Sequence, residues 1–193
     1  MLRSNLMGVM MTGALVSPAL AHTGVVQINS FASGFAHPLS GTDHILAMIA
    51  VGLWAALAAG RAIWIWPMTF VAAMLAGFVV ASSGVPMPFV EPAISSSVVI
   101  LGLFVALAVK ARLWLGAVSA GLLAFFHGYA HGAESIAASL IPYAVGFALA
   151  TAVLHAAGIG LGLFAQGSIG KVALRAMGGL AVLTGLVFDG RLT

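Results

Sequence analysis

The residues able to do chemistry in this chain are six histidines and four acids, and the histidines fall in clusters. Two lie in His37-Pro38-Leu39-Ser40-Gly41-Thr42-Asp43-His44, and two in His127-Gly128-Tyr129-Ala130-His131-Gly132-Ala133-Glu134. His155 and His22 stand apart. On a helix, His127, His131 and Glu134 share one face, because their spacing follows the helical turn. Two imidazoles one turn apart can converge on one divalent ion. His44 and Met48 repeat that spacing, with Asp43 beside them. Imidazole nitrogen and carboxylate oxygen suit borderline first-row ions such as nickel, cobalt and zinc. Only Met48 adjoins the histidines, which disfavours a thioether ladder for copper(I).

Each residue also has a plainer reading. Asp43 can cap a helix, satisfying N–H groups near its start. His37 before Pro38 fits an interfacial turn, and His131 with Glu134 fits a solvated helix end. His155 falls 13 residues past Pro142, roughly 20 Å along a helix axis. At that depth it needs a partner or a polar cavity, and a bond to a neighbouring helix carbonyl would supply one. Ionisable groups inside membrane segments are expensive and mark pathways or sites. Their concentration favours a metal site over separate accidents.

The elements that carry these residues follow from composition. Of 193 residues, 62% are hydrophobic and only 6% charged, against about a quarter charged in soluble domains. A soluble enzyme and a disordered tail are both excluded. A net charge of +3 does not indicate nucleic acid as a partner. The absence of cysteine removes disulfides, thiolate zinc sites and iron–sulfur clusters. The chain reads as an all-α integral membrane protein.

Residues 1–21 read as a secretory signal peptide: Arg3, an apolar run from Leu6 to Val16, then Ala19-Leu20-Ala21 for cleavage. Cleavage would leave His22 as a new N-terminus outside the cytoplasm, where its amine and imidazole can chelate an arriving metal. Residues 22–193 form one transmembrane domain, a six-helix bundle with spans near 41–60, 62–81, 93–109, 113–131, 136–160 and 172–188. Gly158, Gly160 and Gly162 mimic a dinucleotide fingerprint but follow no strand, so they read as helix-packing residues. Arg61, Lys110, Arg112, Lys171 and Arg175 then face the cytoplasm, against Arg191 outside. That is the positive-inside bias, and it puts both mature termini in the periplasm of a bacterial inner membrane.

His37-Pro38-x-x-Gly41-x-Asp43-His44, followed by Leu46-Ala47-Met48 and Val51-Gly52-Leu53-Trp54-Ala55, resembles the signature of the HupE/UreJ family. The stretch from His127 to Glu134 resembles that family's second block, and Ala150-Thr151-x-x-Leu154-His155-x-x-Gly158 a third. The resemblance covers essentially the whole chain. It implies a nickel or cobalt permease linked to hydrogenase or urease maturation, a cargo that spacing alone does not identify.

The expected metal ligands are therefore His37, Asp43, His44, His127, His131 and Glu134, with His155 and His22 as outlying members. Transported Ni²⁺ or Co²⁺ replaces any fixed cofactor. Expected partners are the ion and membrane lipid, with a homo-oligomer and downstream metallochaperones left open. The competing reading is a zinc-dependent intramembrane hydrolase with Glu134 or Asp43 as base. The HExxH motif is absent, and so is a Walker loop, which removes support for ATP hydrolysis.

Overall fold

The computed structural model describes residues 30–134, 139–188 and 190, with Glu134 and Phe188 described in backbone only. The proposed signal peptide, His22, Asp189 and Arg191 lie outside the described residues. Every described element is a helix: α1 (Ser30–Ser40), α2 (Thr42–Ala58), α3 (Ala62–Ser82), α4 (Val90–Ala106), α5 (Leu113–Glu134), α6 (Leu140–Phe164) and α7 (Ser168–Phe188). Ala62–Ser82, Leu113–Ala133, Leu140–Phe164 and Ser168–Val187 are long and apolar enough to cross a membrane. In lipid the backbone must satisfy its own hydrogen bonds, which helices do internally.

Helices α2 to α7 correspond to the six expected apolar segments with edges shifted by a few residues, but only four meet the full crossing length alone. Helix α4 is a shorter apolar helix of 17 residues. The sequence reading started its first element at Gly41 and missed α1. Helices α1 and α2 together pass as a broken span or a re-entrant loop, bent by 81°. Gly41 makes the break in extended backbone (φ −99°, ψ 123°). At the end of α1, the Ser40 hydroxyl donates to the His37 carbonyl at 2.7 Å. Pro38, expected to mark a turn, is tolerated inside α1 near its C-terminal end.

The helices associate as α1 and α2 on α6, α3 on α5, and α4 on α7. Apolar side chains gain little from meeting one another in lipid, so close packing and small residues hold such pairs together. Gly52 and Gly158 face each other across α2 and α6. A methyl on Gly52 would strike the His155 carbonyl, and one on Gly158 would strike that of Ile49. Gly77 and Gly128 do the same between α3 and α5, against the carbonyls of Phe125 and Met74.

The far end of the bundle is closed by aromatics. Trp54 and Trp66 lie with ring centroids 4.1 Å apart, and Phe104 is 4.5 Å from Trp54. Their indole N–H groups donate to the carbonyls of Val109 and Leu113, each at 2.9 Å, tying α2 to the α4–α5 connection and α3 to the start of α5. Arg175 Nε donates to the Ala106 carbonyl at 2.7 Å, satisfying an orphan acceptor at the end of α4.

Gly158 and Gly160 provide a paired test, since nothing lies within 4 Å of a methyl built on Gly160. Gly158→Ala is expected to destabilise the protein by about 1–3 kcal/mol through overpacking. Gly160→Ala should be neutral or slightly stabilising, because alanine favours helix. Thermal unfolding of both variants in the same lipid nanodisc compares them directly.

Candidate metal centre

The 81° break turns α1 back across the end of the bundle where α2 begins and α5 ends. His37, one turn before the break, therefore meets residues from two other helices. Its ring lies 4.7 Å from His131 and 6.1 Å from His44, centroid to centroid. His44 lies 4.7 Å from His131 and 5.1 Å from His127. The i, i+4 pair on α5 thus shares one inward face, as its spacing predicts, and both rings are 0% exposed.

One ligand nitrogen each from His37, His44 and His131 can be chosen so that all lie within 4.8 Å of one another. Nitrogens on a single tetrahedral ion each stand about 2.1 Å from it and so about 3.4 Å from one another. The three nitrogens need to draw together by at most about 1.4 Å to hold one ion. Both nitrogens of His44 and of His131 are buried without a hydrogen-bond partner among the described residues, as is Nδ1 of His127. Buried polar atoms are ordinarily paired. Unpartnered ring nitrogens on α2 and α5, gathered beside His37 of α1, are what a cation requires.

Asp43 lies in the first turn of α2, with its Oδ1 3.1 Å from Nδ1 of His44. The two side chains make a close carboxylate–imidazole contact. Asp43 is not the N-cap residue, a position held by Gly41 without a side-chain cap bond. Asp43 instead brings negative charge against the histidines and the positive start of α2. A methyl on Gly41 would sit 2.8 Å from Asp43 Oδ1 and 2.9 Å from His44 Nδ1, so either side chain would have to shift to admit it.

His155 does not join the cluster. It is 2% exposed on α6, and Phe70 presents an edge-on ring to it at 5.0 Å. The expected bond to a helix carbonyl is missing, because neither ring nitrogen has a partner among the described residues. Phe70 also lies 6.1 Å from His127, so its ring neighbours both the cluster and His155. Glu134 ends α5 one turn past His131, but its side chain lies outside the described residues, as does His22.

Several neighbours of the cluster escaped the sequence reading. Phe147 stacks on His131 at 5.0 Å, and Tyr143 lies 6.1 Å from His37. These aromatics belong to the apolar stripe of α6 and carry no distinguishing pattern. Ser97 on α4 contacts Nε2 of His127 at 2.7 Å. Its signal was available in Ser95-Ser96-Ser97, a polar triplet inside an apolar helix.

An all-helical membrane protein with a partly buried histidine cluster at one end of its bundle is the class these features define. The family model described as "HupE / UreJ protein" matches residues 9–188, and the chain belongs to that family. Protein HupE of Rhizobium leguminosarum bv. viciae is 42% identical over 174 residues, covering 89% of this chain and 91% of the relative. No solved structure matches. The family is associated with nickel and cobalt transport, and membership does not favour the hydrolase reading.

The unpaired nitrogens of His155 carry a consequence for stability, since an unsatisfied buried polar group costs about 1–3 kcal/mol. His155→Leu is expected to raise the unfolding temperature of the metal-free protein. A lower midpoint would mean that His155 supports the fold rather than sacrificing stability for function.

Proposed function

We propose that this chain imports Ni²⁺, with Co²⁺ as the other candidate cargo, across the bacterial inner membrane. The observation that carries the reading is the convergence of His37, His44 and His131 in a HupE/UreJ family member. In this reading residues 1–21 are cleaved as a signal peptide and α2 to α7 are six spans. The histidine cluster and both mature termini then face the periplasm, and the basic junctions at Arg61, Lys110, Arg112, Lys171 and Arg175 face the cytoplasm.

The ion meets His22 first and then exchanges water for the imidazoles of His37, His44, His127 and His131. Asp43 and Glu134 offset its charge where water is scarce. His155 receives the ion deeper in the bundle, past Phe70. An inside-negative potential supplies about 4.6 kcal/mol per 100 mV for a divalent ion. Release requires that the site bind only moderately. A triad spread over as much as 4.8 Å, wider than an ion's own coordination span, suits that need. The delivered metal would pass to metallochaperones serving hydrogenase or urease maturation.

Proteoliposomes with a metal-sensitive dye inside and an imposed inside-negative potential test the reading. Saturable nickel or cobalt uptake is expected, with His44→Ala and His131→Ala reducing it to the background of empty vesicles while insertion is retained. Normal uptake by both variants would remove the cluster from the mechanism. Ligating imidazoles must be neutral, so protons compete with the metal. Nickel affinity measured by titration should therefore fall as the medium is made more acid, and an affinity independent of pH wherever the protein stays folded would count against histidine ligation.

A further inference from the structure

Ser97 lies within α4, fully buried, and its hydroxyl makes two short contacts. One is 2.6 Å to the carbonyl oxygen of Ile94, and the other is 2.7 Å to Nε2 of His127. A hydroxyl has one proton to give, and a carbonyl has none. Two oxygens that close need a hydrogen between them, so the serine proton lies toward Ile94. The hydrogen in the other contact must then come from the ring: Nε2–H of His127 donates to Ser97 Oγ. A neutral imidazole carries a single N–H, which leaves the free electron pair on Nδ1. That Nδ1 is buried without a hydrogen-bond partner among the described residues, in a ring 5.1 Å from His44.

We propose that Ser97 is a positioning residue that holds His127 in its Nε2–H tautomer, making Nδ1 a fourth nitrogen ligand beside His37, His44 and His131. The ligand part rests on the cluster being a nickel site; the tautomer part does not. Histidines that bind metals are commonly oriented by a hydrogen bond from their other ring nitrogen, and loss of that partner weakens metal binding about 10–100-fold. Ser97 supplies such a partner from a helix that contributes no other residue to the cluster. The ring is thereby held between α4 and α5, and its ligating nitrogen is chosen before the ion arrives.

Nitrogen-15 NMR of histidine-labelled, metal-free protein in nanodiscs reads the tautomer, with the His127 signal assigned by its loss in His127→Gln. The native protein and Ser97→Thr should show Nε2 protonated. Ser97→Val, nearly the same shape as threonine but without the hydroxyl, should show a mixed or inverted tautomer. Ser97→Ala makes the same comparison if the valine variant does not fold. Nickel affinity should be about 10–100-fold weaker in Ser97→Val than in Ser97→Thr. An Nδ1–H form in the native protein, or the same tautomer with and without the hydroxyl, overturns the proposal whether or not nickel binds. Equal nickel affinities in the threonine and valine variants overturn the ligand role. A native protein with the Nε2–H form that binds no nickel overturns the metal reading and that role together, while upholding the hydrogen bond.

Discussion

Direct backbone contact between helices is the constraint on which the rest of this molecule depends. In water, burying apolar surface would drive helices together; in lipid the tails compete on equal terms, and close approach must supply the attraction. The glycine pairs make that approach possible. Gly52 meets Gly158 across α2 and α6, and Gly77 meets Gly128 across α3 and α5. Gly34 and Gly146 bring α1 against α6 in the same way, Gly34 toward the Tyr143 carbonyl and Gly146 toward that of Phe31. Gly128 follows His127 and Gly132 follows His131, so the residues that bring the backbones together also determine how closely the rings can gather.

The second organising feature is the break at Gly41. A continuous helix would have carried His37 away from His44 along one axis, with no third partner within reach. The 81° bend instead folds α1 back over the bundle, and α1 packs on α6. His37 then meets His131, a residue more than ninety positions distant, at 4.7 Å between ring centroids. On its inner side the resulting cluster meets apolar neighbours, Phe147 on His131 and Phe70 on His127. Such surroundings exclude competing water and strengthen whatever electrostatic attraction the unpaired nitrogens and Asp43 offer a cation. They also make those nitrogens costly in the absence of one.

Tight closure at the opposite end complements the cluster. Trp54 lies ten residues past His44 on the same helix, about 15 Å along its axis. There it packs on Trp66 and Phe104, and the two indoles are hydrogen-bonded to the α4–α5 connection and to the first residue of α5. The bundle is thus sealed by aromatic rings at one end and lined by imidazoles at the other.

Composition and spacing alone determined that the chain is helical and apolar enough for a membrane, that His127 and His131 share a face, and that Asp43 and His44 belong together. These are local properties, set by the helical repeat and by the energy of exposing charge to lipid. Helix α1 was not legible, because its 11 residues are too few for a membrane-length pattern and contain Pro38, which reads as a break. The meeting of His37 with His131, the separation of His155 from the cluster and the contact of Ser97 with His127 were decided only in the tertiary structure. Each depends on the angle and depth at which one helix lies against another. Those are set by many glycine and aromatic contacts acting together, and no stretch of sequence records their sum.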